Sequence, residues 1–127
     1  MRAIVVVTTV GTEDQANLIA EELVVRRQAS CVNVVPGIRS LYRWQGKICR
    51  DSEHLLLIKT LETEYEAVAA TIRELHSYEL PEILSFRIDR GDESFLAWIA
   101  SCLDKSAAFS DEPDESVPLR NPDDTSF

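Results

Sequence analysis

At 127 residues, 45% of them hydrophobic and 28% charged, the chain is long enough for one domain with a real core and too short for two. A net charge of −9 excludes a phosphate-backbone binder, and no apolar run approaches the roughly 20 residues of a bilayer span, so neither nucleic acid nor membrane is an expected partner. Arg2-Ala-Ile-Val-Val-Val7 shows no cleavage-site pattern, and Cys31, Cys49 and Cys102 form no CxxC pair; both predict free thiols in a reducing, cytoplasmic setting.

Ala3 to Thr9 is a β-branched apolar run, which predicts a covered or central strand. Thr12 with Gln15 makes a capping-box pattern, and Ala16, Ile19, Ala20 and Leu23 recur at helical spacing to about Gln28. Residues 31–35 and, after Pro36-Gly37, Ile38 to Trp44 read as extended; Gln45-Gly46 reads as a turn and Lys47 to Leu61 as a second long strand, so the pair is a hairpin. Thr63 with Glu66 repeats the capping-box pattern, with Val68, Ala69, Ile72 and Leu75 as the stripe of a helix ending near His76. Ile83 to Asp89 alternates as a fourth strand, and Phe95, Leu96, Ile99 and Leu103 mark a last helix. The order β-α-β-β-α-β plus a C-terminal helix predicts an α+β, ferredoxin-like domain over residues 1–105. Residues 106–127 carry six acids against Arg120, with Pro113, Pro118 and Pro122, a composition that predicts a disordered acidic tail.

Fifteen extended residues span about 50 Å, whereas a globule of this size is roughly 33 Å across. The hairpin is therefore expected to overhang its own domain and, with Tyr42 and Trp44 near its tip, to join a homo-oligomer. The competing expectation is that Pro36-Gly37 and Asp51-Ser52 break both strands and fold the rings back onto one chain.

The densest chemistry lies in His76-Ser-Tyr-Glu-Leu-Pro-Glu82, at a helix-to-strand corner where polar side chains can face a cleft. A helix stop followed by a turn accounts for the same residues. Tyr42, Trp44, Lys47, Glu53 and Lys59 form a second cluster on the hairpin, where alternation can put charged residues on one face, as a ligand site or as an interface with a polar rim. No GxSxG, HExxH or Walker pattern occurs, so no catalytic role is expected.

Four motifs together carry a resemblance. Cys31-Val-Asn-Val-Val-Pro36, Tyr42-Arg-Trp-Gln-Gly-Lys47, Leu55-Leu-Leu-Ile-Lys-Thr60 and His76-Ser-Tyr-Glu-Leu-Pro-Glu-Ile83, followed by Phe95-Leu-Ala-Trp98, resemble the CutA divalent-cation-tolerance family over about residues 3 to 103. The resemblance implies a ferredoxin-like subunit in a compact homotrimer similar to that of the PII signalling proteins. It also implies binding of a divalent metal ion, Cu(II) above others, in metal tolerance. The metal ligands it implies are Cys31, His76 and Glu79, with Tyr42, Trp44, Lys47, Glu53, Lys59, Tyr78, Glu82 and Trp98 as cleft or interface candidates. Thiolate and imidazole suit copper or zinc better than magnesium or calcium. Read as residues alone, Cys31 also suits a small buried hydrophobe, His76 a helix C-terminus, and Glu79 and Glu82 a solvated turn. The PII likeness leaves a rival open, a signalling trimer that binds a metabolite or protein at its clefts. Ser77 stands where the family usually has proline, which predicts a looser corner, because proline fixes φ.

Overall fold

The computed structural model describes residues 2–106, so the predicted acidic tail lies outside the described residues except at Ser106. The elements run β1 (Ala3–Val10), α1 (Glu13–Val25), β2 (Cys31–Trp44), β3 (Lys47–Leu61), a 3₁₀ turn (Glu62–Glu64), α2 (Tyr65–Leu75), β4 (Leu84–Arg87) and α3 (Glu93–Cys102). The antiparallel sheet has the order β2-β3-β1-β4, the ferredoxin-like arrangement expected from the element order.

Period-two alternation decides which face is covered. Ile4, Val6 and Val10 of β1, with Leu56 and Ile58 of β3, are buried in one cluster with Ala16, Ile19 and Leu23 of α1 and Val68 and Ile72 of α2. Burying each such Ile or Leu stabilises the fold by about 1.5–3 kcal/mol. The opposite face is covered at one end only, where Ile99 and Leu103 close on Ala3 and Leu61. Beyond that end, Leu84 and Phe86 stay half exposed.

Neither turn dipeptide breaks the hairpin. Pro36 and Gly37 lie in a bulge between Val35 and Ile38, with Gly37 at φ 74°, and Asp51 and Ser52 keep their register opposite Ser40 and Arg39. A bulge absorbs the missing proline N–H that an unbroken ladder could not. Trp44 pairs with Lys47 across Gln45 (φ 49°) and Gly46 (φ 78°), the two positive φ values of a type I′ turn.

Local details depart from expectation at three places. α1 stops at Val25, three residues early: Arg27 turns left-handed at φ 57°, and the N–H groups of Arg27 and Gln28 close on the carbonyls of Val24 and Leu23. The Thr63–Glu66 capping box does not form; the 3₁₀ turn intervenes and α2 starts at Tyr65 without a side-chain cap. Its corner is fixed instead by the Glu62 N–H, which donates to the Arg2 carbonyl at 2.8 Å. The fourth strand shrinks from 83–89 to 84–87, because Ile83 packs into the main core and Ile88 into the α3 cluster.

Candidate functional site

The corner after α2 is built by long-range hydrogen bonds. His76 caps the helix in extended conformation (φ −74°, ψ 139°), and its ring is buried. Nε2 lies 2.7 Å from the Thr9 carbonyl, an acceptor, while Nδ1 takes the Tyr78 N–H at 3.0 Å; this pattern puts the ring hydrogen on Nε2. The ring also packs against Tyr78, tilted by 50° with centroids 4.6 Å apart. Gln15 clamps the other side: its Nε2 donates to the Leu75 carbonyl at 2.9 Å and its Oε1 accepts the Ser77 N–H at 3.0 Å. Ser77 therefore does not loosen the corner, since it supplies an N–H that proline lacks. The same clamp explains why only half of the Thr12–Gln15 capping box forms, with the Gln15 N–H on Thr12 Oγ1 at 3.1 Å.

Held this way, Tyr78 reaches back over the sheet and donates its hydroxyl to Glu53 Oε2 at 2.7 Å. Gly11 permits the approach: a Cβ there would meet the Tyr78 hydroxyl at 3.1 Å. Nearby on the hairpin, Tyr42 donates to Asp51. The hydrogen bond to Asp51, reinforced by burial and by carboxylate charge, pushes the Tyr42 phenol up to about 12. Burial first, then the Glu53 hydrogen bond, push Tyr78 up as well.

Corner and hairpin enclose a cleft of about 680 Å³. It gathers Tyr42, Trp44, Glu53, Tyr78 and Glu82 of the cleft candidates and Glu79 of the expected metal donors, together with Thr9, Ser40, Leu41, Ser77 and Leu80. Lys47, Lys59 and Trp98 do not line it. Lys47, Glu53 and Lys59 do share one face of β3, but six residues separate each from the next, about 20 Å. Lys59 instead sits 5.8 Å above the Phe95 ring, which packs against Trp98 at 5.4 Å.

The three expected metal donors are not brought together within one chain. Glu79 lines the cleft and His76 lies beneath it, but Cys31 pairs with Lys59, four rows along β3 from the Leu55 row that contains Thr9. That offset is about 13 Å. Both His76 nitrogens are engaged, so ligation through this ring requires one of its two bonds to break. Among the described residues no group of three or more His, Cys, Asp or Glu converges as a metal site. A metal held by Cys31, His76 and Glu79 of a single chain does not fit this arrangement.

Sequence reasoning missed three contributors. Asp51 stands two positions before Glu53, so strand alternation could have placed it on the same face. Gln15 and Gly11 gave no local sign of this role, because their partners lie sixty or more positions away in the chain.

Fold and cleft define a small α+β domain with an overlong hairpin arm and an anionic, aromatic-walled cleft. Residues 4–102 match the family model described as CutA1 divalent ion tolerance protein, and the chain belongs to that family. It is 43% identical over 95 residues to a divalent-cation tolerance protein CutA of Thermus thermophilus, covering 75% of this chain and 92% of that one. It is 38% identical over 97 residues to a protein CutA of Arabidopsis thaliana described as chloroplastic, covering 76% of this chain and 53% of the plant protein. The crystal structure of CutA1 from Oryza sativa superposes with a TM-score of 0.80 at 35% identity, over 84% of this chain and 97% of that one. Among the described residues no helix is long and apolar enough to cross a membrane.

Proposed function

We propose that the chain works in divalent-cation tolerance as a non-catalytic, cytoplasmic homotrimer that binds a divalent ion, Cu(II) above others. Family membership supports the tolerance role. The observation that carries cation binding is the cleft lining: its ionisable side chains are carboxylates and phenols, with no lysine, arginine or histidine among them. Cys31, His76 and Glu79 remain the proposed donors, and because one chain keeps Cys31 away from the other two, such a set draws on more than one subunit. The thiol and imidazole supply the donor softness that favours Cu(II) over the hard cations.

Calorimetric titration of Cu(II) into the full chain, beside Cys31→Ser and His76→Ala, tests this. Stoichiometric binding that weakens about tenfold in each variant, about 1.4 kcal/mol, supports it. The acidic tail is common to all three proteins, so equal binding in all of them refutes the donor set.

The size and aromatic walls of the cleft favour a second reading, a PII-like signalling trimer that takes an organic ligand or a protein partner. Thermal stabilisation by organic ligands and not by copper decides for it.

A further inference from the structure

The geometry points to the cleft beneath Tyr78 as a binding site for a small organic cation, an alkylammonium or guanidinium compound. This rests on the organic-ligand reading of the cleft and is independent of the Cys31 metal donors.

Glu53 carries the argument. It is only 5% exposed, and its carboxylate receives a single neutral hydrogen bond, from Tyr78 to Oε2. Among the described residues no donor reaches Oε1 and no cation pairs with the group. A buried carboxylate compensated so thinly is stabilised by any cation that enters beside it. The rest of the lining has the matching chemistry. Glu79 and Glu82 stand at the corner, Trp44 and Tyr42 present aromatic rings from the hairpin, and Ser40 adds a hydroxyl. Rings and carboxylates around one cavity recognise ammonium and guanidinium groups, the rings through their negative faces and the carboxylates through charge-assisted hydrogen bonds.

Two other occupants fit less well. Within a single chain a bare metal ion lacks donors that converge on one point, since the described residues hold no group of three, and a cavity of about 680 Å³ leaves room for more than one ion with its water. A phosphate- or carboxylate-bearing metabolite meets Glu53, Glu79 and Glu82 with no basic side chain to receive it.

Agmatine, which carries a guanidinium at one end and an ammonium at the other, is the probe. Titrated into the full chain at about 0.15 M salt, it is expected to bind one per subunit with Kd of about 1 mM or tighter and to change the Trp fluorescence. Glu53→Gln keeps the shape and the acceptor for Tyr78, and is expected to weaken binding about tenfold. Should that variant fold poorly, Glu82→Gln and Trp44→Leu at the cleft mouth are each expected to weaken binding several-fold. Cys31→Ser is expected to leave agmatine affinity unchanged while lowering Cu(II) affinity, so the two readings fail separately. Absence of saturable agmatine binding overturns the proposal, as does affinity indifferent to Glu53, Glu82 and Trp44. Binding of citrate in place of agmatine overturns the cation assignment but leaves the cleft as an organic-ligand site.

Discussion

Thr8 has a fully buried side chain on β1, and its Oγ1 has no hydrogen-bond partner among the described residues. A buried hydroxyl without a partner costs about 1–3 kcal/mol relative to leaving it in water. Thr8→Val keeps the β-branch that suits the strand and removes that cost. It is expected to raise the urea midpoint at unchanged slope, by about 1 kcal/mol of stability; a fall would show that the hydroxyl is bonded after all. The phenols make a second residue-scale test. Tyr42 is raised from its ordinary value of 10.0 to about 12 by the Asp51 hydrogen bond, so the folded state favours the neutral phenol. A group raised in this way contributes stability that is complete below about pH 10 and lost as the pH climbs towards 12. Tyrosinate absorbance should therefore show a late-ionising fraction among the three tyrosines, reduced by Tyr42→Phe and again by Tyr78→Phe. Ionisation of all three together near pH 10 would mean that the phenol–carboxylate pairs do not persist in solution.

At the scale of elements, the corner between α2 and β4 depends on a side chain from α1. Gln15 satisfies the Leu75 carbonyl and the Ser77 N–H together. Gln15→Ala leaves both to water and is expected to cost about 1–2 kcal/mol, with faster amide exchange at Ser77 and Tyr78. Ser77→Pro should cost more in the native background than in Gln15→Ala, because only the native glutamine loses a bond to it; strictly additive costs would show that the two positions do not communicate. The same corner shows where sequence reading stops. β1 and β3 were legible because Ala3–Val10 and Lys47–Leu61 carry long runs of β-branched and apolar residues, and the hairpin turn because Gln45-Gly46 tolerates positive φ. The HSYELPE segment was legible as a concentration of chemistry, and Tyr42, Trp44 and Glu53 as part of a second cluster on the hairpin. Their closure into one cleft was not, because it depends on the Tyr78–Glu53 bond across 25 positions and on the space left by Gly11. Cys31 was misleading as a companion of His76: spacing in the chain carries no information about the four rows of sheet between them.

Over the whole molecule, apolar surface is left uncovered on an arm that extends past its own core. β2 and β3 stay paired out to Trp44 and Lys47, with Tyr42 and Trp44 on one face of the arm and Leu41 and Ile48 on the other by alternation. Leu41 is 65% exposed and Ile48 58%. Tyr42 and Trp44 line the cleft, so the apolar surface left uncovered on the arm centres on Leu41 and Ile48, and the uncovered part of the sheet, with Leu84 and Phe86 exposed on β4, offers a surface of the same character. Neighbouring arms and sheets covering one another in a closed ring of three would bury both surfaces, which is the proposed homotrimer. Sedimentation equilibrium at micromolar concentration is expected to give three chain masses for the native protein. Leu41→Lys combined with Ile48→Lys places two charges on the arm without touching the core, and Phe86→Glu does the same on the sheet; each is expected to shift the protein to monomer. A monomeric native protein refutes the trimer. A trimer that survives both sets of charges would mean that subunits meet elsewhere, and the exposed arm would then need a different partner.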